Sequence, residues 1–319
     1  MSYSSQLLSN ASAELQYPDV LERVITFTLC TVPACVLLYI NGTMLFTLRS
    51  KPVFRDTCRY VLLYNLLLAD TVQLALSQVL FLLAVCSIKL TYPVCGAITT
   101  LAILTTVISP LTLVVMSLER YVAVCFPLRH AMIVTIRNTR VAIIALWAFS
   151  SLHNLTRIIL LLYFPFQELE SLQMTNFCSD FAMVLGSLSD DYDTAFTCVL
   201  FVSAGIVIAF SFISVLIAAR SASTDRTSAL KARNTLLLHL VQLCLSLSST
   251  VFNPILKPIS KTVTNAVFVR LHKFLYVLIV LFPRCLSCFI YGLRDRTIRP
   301  VLLHLLCCRL KAKVVAASD

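Results

Sequence analysis

The sequence predicts an all-α membrane protein: a bundle of seven transmembrane helices with the N-terminus outside and the C-terminus in the cytoplasm. Three observations carry this prediction. Hydrophobic residues make up 59% of the 319-residue chain and charged residues only 13%, with a mean hydropathy of +0.88; a soluble domain carries about 25% charged residues. The apolar residues fall into seven runs, each long enough for the ~20-residue helix that crosses a ~30 Å hydrocarbon core. The charges are sorted between alternate loops.

The runs lie at 24–48, 60–86, 96–126, 141–164, 195–219, 234–256 and 274–293. They are Leu-, Val- and Ile-rich, and the whole chain has only five glycines. They lack the alternating pattern of ~9–11 residues that a barrel strand needs, so the spans are helices. The sixth run contains His239, Gln242, Ser246, Ser249, Thr250 and Asn253, and the seventh is interrupted by Arg284. Residues 1–23 are expected outside, 24–293 form the seven-span domain, and 294–319 form a cytoplasmic amphipathic segment and tail. Residues 1–22 are polar and include Glu14, Asp19 and Glu22, so span one is expected to act as an uncleaved signal-anchor.

Orientation follows from the loops. Those at 49–59, 119–140, 220–233 and 294 onward hold 18 Lys/Arg and five acids; the N-terminus and the loops at 87–95, 165–194 and 257–273 hold six Lys/Arg and nine acids. The basic set is cytoplasmic. The net charge of +11 is therefore an orientation signal. No zinc-ligand spacing, phosphate loop or basic-aromatic stripe accompanies it, and no nucleic-acid partner is expected.

Cys86, Cys95, Cys178 and Cys198 fall on or near the oxidising outer side. A Cys95–Cys178 bridge would tie the second outer loop over the top of the bundle. Cys86 and Cys198 either form a second bridge or are helix-end residues. Asn10-Ala11-Ser12 is a glycosylation sequon on the outer side, whereas the sequons at Asn41 and Asn154 lie within spans. Cys307 and Cys308 sit beside Ile298, Leu302, Leu305 and Leu306, a setting suited to palmitoylation of a segment lying on membrane lipid.

The inner end of span three reads Met116-Ser117-Leu118-Glu119-Arg120-Tyr121-Val122-Ala123-Val124-Cys125-Phe126-Pro127-Leu128-Arg129-His130. Cys95 and Arg120 are 25 residues apart, about 38 Å of helix. This run resembles the Asp-Arg-Tyr segment of rhodopsin-like (class A) G-protein-coupled receptors. It is more similar still to the Met-Ala-Tyr-Asp-Arg-Tyr-Val-Ala-Ile-Cys-x-Pro-Leu-Arg-Tyr signature of olfactory receptors. Asn41, Leu68-Ala69-Asp70, Trp147, the spacing of Lys231-Ala232, Thr235 and His239, and Phe289-Ile290-Tyr291-Gly292-Leu293-Arg294-Asp295 match further family segments. The chain resembles a divergent, fish-type odorant receptor. Three departures stand out. Ser287-Cys288 replaces the Asn-Pro of span seven and Pro283 lies earlier; Ser211-Phe212 replaces a Ser-Tyr pair; and span six has no Phe-x-x-Cys-Trp-x-Pro.

The resemblance implies a receptor that binds a small extracellular odorant among its helices and activates a heterotrimeric G protein, of Gs-like olfactory type, inside. It implies no enzymatic activity, cofactor, metal or catalytic residue. Glu119, Arg120, Tyr121, His239 and Tyr291 take the coupling and activation positions. Arg120 offers five donors on a rigid fork, with Glu119 as its resting partner. Asp70 and Arg284 are the deepest charges, and a lone charge at a helix centre costs ~2.5–3.5 kcal/mol on insertion scales. In the receptor fold spans two and seven are neighbours, so the Arg284 guanidinium is expected to replace a sodium ion beside Asp70. Thr99, Ala102, Ile103 and Thr106 of span three, Ser249, Thr250 and Asn253 of span six and Tyr276 of span seven are candidates for the ligand pocket. Ala102 stands where amine receptors carry an aspartate, which argues against an amine held by that salt bridge. Lys257, Lys261, Arg270 and Lys273, opposite Asp190, Asp191 and Asp193, either draw an anionic odorant or form solvated salt bridges.

Other functions fit less well. The inverted repeats and Gly/Pro-broken helices of transporters are not expected here, nor are hydrolase motifs such as His-Glu-x-x-His found. A class A receptor for a peptide or lipid is the remaining alternative.

Overall fold

The computed structural model describes residues 20–86, 88–163, 173–174, 178–180, 183, 186–222, 237, 240–241, 243–284 and 298–300. Five helices among these are long and apolar enough to cross a membrane. They are span one, Val20–Ser50; span two, Cys58–Val85; span three, Tyr92–Cys125; span four, Ile136–Tyr163; and span five, Ser187–Ala222. Span six is described from residue 243 to Thr262 and span seven from Asn265 to residue 284. Short helices, Pro52–Arg55 and Pro127–Ile133, each opened by a proline, turn the chain at the inner side.

Span three is the axis. Its most apolar stretch is 56% buried, against 17–33% for the other four helices, and it packs against spans two, four and five. Span five shows the opposite face of the same physics. Val199, Val202, Ile206, Phe210, Ile213 and Ile217 recur at three- and four-residue steps and are exposed, forming a stripe toward lipid. Lipid is as apolar as these side chains, so packing and interhelical hydrogen bonds hold the bundle together. One buried cluster joins Met44 and Leu48 of span one, Leu62, Leu63, Leu66 and Leu67 of span two, and Leu113 and Met116 of span three. Ile298, beyond span seven, is fully buried in the same cluster.

Hydrogen bonds tie the middle of the bundle. Trp147 Nε1 donates to Asn65 Oδ1 at 2.9 Å, and Asn65 Nδ2 donates to Thr112 Oγ1 at 2.9 Å, linking spans four, two and three. The Ser150 hydroxyl donates to the Leu104 carbonyl at 2.7 Å.

Prolines shape the last two spans. A proline lacks an N–H and its ring crowds the carbonyl four residues earlier. Ahead of Pro254 the helix tightens to a 3-10 turn at Ser249–Val251. There the hydroxyls of Ser248, Ser249 and Thr250 donate to the carbonyls three residues back, at 2.6–2.7 Å. Ahead of Pro283 the helix widens instead to a π turn at Tyr276–Leu281, closed by the Phe282 N–H on the Val277 carbonyl.

Several expected boundaries are corrected. Span five starts at Ser187, not near 195, so Asp190, Asp191 and Asp193 ride on its first turns rather than in the second outer loop. Carboxylates there suit the positive end of the helix dipole, a gain that a hydropathy scan cannot register. The third outer loop shrinks to 263–264, because helices Phe252–Thr262 and Asn265–Leu275 extend past the apolar core on both sides. Span four starts at Ile136 and carries Arg137 and Arg140 on its inner turns.

Candidate ligand pocket and coupling end

At the outer end, a Cys95–Cys178 disulfide pins the second outer loop to the first turn of span three. The Met174 N–H donates to the Leu90 carbonyl at 3.0 Å, and Met174, Met183, Cys95 and Cys178 bury together. Cys86 and Cys198 are free and exposed, so the second bridge is not formed.

A partly open cavity lies between spans three, four, five and six. Of the residues expected to line it, Ile103, Thr106, Thr250 and Asn253 do so. The others are not part of its wall. Thr99 is buried, its hydroxyl donating to the Cys95 carbonyl at 2.9 Å. The Ala102 carbonyl accepts the hydroxyls of Thr105 and Thr106. Ser249 is turned back on its own helix, and Tyr276 packs edge-on against Phe252.

The polar wall joins Asn253, Lys257, Asp190 and Asp193, all expected from the sequence to be candidates, to Arg157, Asp180 and His153, which the sequence does not single out. Arg157 of span four reaches two carboxylates with one nitrogen: Nη2 lies 2.8 Å from Asp180 Oδ1 and 3.1 Å from Asp193 Oδ2. Asn253 Nδ2 donates to the other oxygen of Asp180 at 2.7 Å, which brings span six into the network. Lys257 pairs with Asp190 and also donates to Thr194 Oγ1 at 3.3 Å. The ring of His153, one helical turn before Arg157, stacks on Phe196 at 3.6 Å, and its Nδ1 lies 3.0 Å from the Tyr192 hydroxyl. A charge inside an apolar run such as Arg157 is the signal that could have found this wall, since a charge there needs a partner. Arg270 is exposed; the side chains of Lys261 and Lys273 lie outside the described residues.

Midway down the bundle, Arg284 Nε lies 3.6 Å from Asp70 Oδ1, with both side chains less than a tenth exposed. Ser109 of span three donates to the same oxygen at 2.7 Å. The π turn explains how Arg284 arrives: one extra residue in a turn rotates everything beyond it by about 100°. Arg284 Nη1 finds no acceptor among the described residues.

At the inner end of span three, Arg120 Nε lies 3.4 Å from Glu119 Oε2, and His130 Nε2 lies 3.9 Å from the other oxygen of that carboxylate. Tyr121 packs against Phe126 and, at 5.5 Å between ring centres, against Phe210 of span five. His239, Tyr291, Asn10, Cys307 and Cys308 lie outside the described residues. Among the described residues no group of His, Cys, Asp and Glu is arranged to hold a metal.

The family model described as "7 transmembrane receptor (rhodopsin family)" matches residues 40–291 of this chain. Odorant receptor 131-2 of Danio rerio is 32% identical over 262 residues, covering 82% of this chain and 79% of the relative. Olfactory receptor 1M1 of Homo sapiens is 32% identical over 110 residues, 34% of each chain. Olfactory receptor 1500 of Rattus norvegicus is 30% identical over 104 residues, 33% of this chain and 32% of the relative.

Proposed function

The chain belongs to the rhodopsin family of seven-transmembrane receptors, multi-pass plasma-membrane proteins that are receptors and not enzymes, and from that premise we propose that it is an odorant receptor. It binds a small odorant in the outer cavity and signals through a Gs-like olfactory G protein. The observation that carries the reading is the layout of span three. One helix lines the cavity with Ile103, Thr106 and Val107 and presents Glu119-Arg120-Tyr121 at its inner end. The two sites are ~20–25 Å apart at 1.5 Å per residue.

In this reading the Glu119 carboxylate holds the Arg120 fork at rest. A ligand that engages Thr250 and Asn253 acts on span six beside its 3-10 turn, the point where that helix is least regular. Displacement of its inner end, on which His239 lies, frees Arg120 for the G protein, with Tyr121 and Phe210 keeping spans three and five together. Tyr291 belongs to the same coupling end. The Asp70–Arg284 pair serves as the fixed polar hub, with the guanidinium in place of a cation. Residues 1–23 form the outer N-terminus, glycosylated at Asn10, and 294–319 lie along the inner leaflet with Cys307 and Cys308 as palmitoylation sites.

The test is cAMP in cells that contain an olfactory-type G protein and display the epitope-tagged chain, challenged with mixed water-soluble odorants. A ligand-dependent rise that disappears in Arg120→Glu at equal surface level is expected. A response that survives Arg120→Glu would overturn the role given to span three.

A further inference from the structure

We infer that the cavity selects a small organic cation, an aliphatic amine in its protonated form, held by Asp193; this rests on the receptor reading above. The argument begins with charge. Among the described residues that line the cavity or pair with its lining, there are two cations, Arg157 and Lys257, and three carboxylates, Asp180, Asp190 and Asp193. Both cations are already matched. Arg157 is shared by two carboxylates, and Lys257 is held by Asp190 and Thr194. An anionic odorant would have to break one of these pairs and leave a carboxylate stranded.

The carboxylates are not equally engaged. Asp180 has a partner on each oxygen, Arg157 on one and Asn253 on the other. Asp193 meets Arg157 through Oδ2 only. Its Oδ1 is shielded from solvent and has no hydrogen-bond donor among the described residues, and the side chain is only 13% exposed. A carboxylate oxygen buried without a donor is costly. A ligand ammonium reaching Asp193 from the cavity supplies both the missing donor and the missing positive charge after a small rotation of the carboxylate. An alcohol supplies only the donor. The remainder of the cavity suits an alkyl chain, with Ile103, Val107, Phe196, Leu200 and Pro254 along its wall.

The position differs from the one that Ala102 vacates on span three. Asp193 is on span five, and only the unexpected early start of that helix brings it to the cavity.

The experiment uses the full, surface-displayed chain with butylamine, hexylamine and octylamine set against the alcohols and carboxylates of the same chain lengths. The signal from the Arg120→Glu chain is subtracted throughout. Amines are expected to act at lower concentration than either other series. Asp193→Asn should raise their half-maximal concentration by about 10- to 100-fold, the size of a hydrogen bond to a charged group. Asp180→Asn should shift it less. Asp193→Glu, which keeps the charge, should retain the amine preference with an altered chain-length optimum, and it serves as the readout if Asp193→Asn is poorly displayed. Silence toward amines, an equal or better response to alcohols or carboxylates, or an amine response indifferent to both Asp193 variants overturns the inference. A response to alcohols or carboxylates that still requires Arg120 leaves the receptor reading standing while this one falls.

Discussion

Two arginines, Arg157 and Arg284, lie within apolar spans away from the inner end where Arg120 meets Glu119, and each meets a carboxylate, yet the two sites are built differently. At mid-bundle, Arg284 has one carboxylate, Asp70, and both side chains are below a tenth exposed. At the outer cavity, Arg157 is divided between Asp180 and Asp193, and Asp180 is 33% exposed. In a closed pair deep in the hydrocarbon, where Ser109 is the other donor to Asp70 among the described residues, the partners are expected to hold spans two and seven together. A shared pair beside an open cavity has alternatives, since water or a ligand can replace either bond. The first arrangement suits a hub and the second suits recognition.

The comparison breaks most readily at the hub. Arg284→Leu leaves Asp70 buried without its cation, and losing one partner of a buried pair costs ~3–5 kcal/mol. Surface display and thermal stability in detergent should both fall, and the double variant Asp70→Asn with Arg284→Leu should recover most of the loss. Unchanged display and signalling in Arg284→Leu would remove the hub. Arg157→Gln strips Asp193 of its one donor among the described residues but is expected to cost less, ~1–3 kcal/mol, because Asp180 keeps Asn253 and both carboxylates border the cavity; thermal unfolding against the Arg284 variant measures the gap, and equal losses would show that exposure does not separate the sites. The smallest effect is expected from Lys257→Met. Asp190 is 45% exposed, and such pairs contribute ~0–1 kcal/mol. Raising salt should mimic that substitution and barely touch the Arg284 variant.

Much of this was legible along the chain. Asp70 and Arg284 could be paired on paper because each is a lone charge in an apolar run and the family resemblance makes spans two and seven neighbours. The same logic applied to Arg157 would have demanded a partner. The sequence alone names none, because hydropathy places Asp193 in a loop and Asp180 stands only two residues beyond Cys178, in a segment without periodicity. The pocket shows the same limit: Thr106 and Thr250 line it and Thr99 and Ser249 do not, although all four hydroxyls donate to carbonyls of their own helix.

By itself the sequence determined the number of spans, their direction through the membrane and the Glu119-Arg120-Tyr121 end of span three, because length, hydropathy and loop charge are sums over local residues. Only the tertiary structure decided which polar groups meet. That depends on helix phase and overhang, which a π turn before Pro283 shifts by about 100° and two extra turns at the start of span five extend across the mouth of the cavity. A local pattern holds no record of either, since both are settled by the packing of one helix on another.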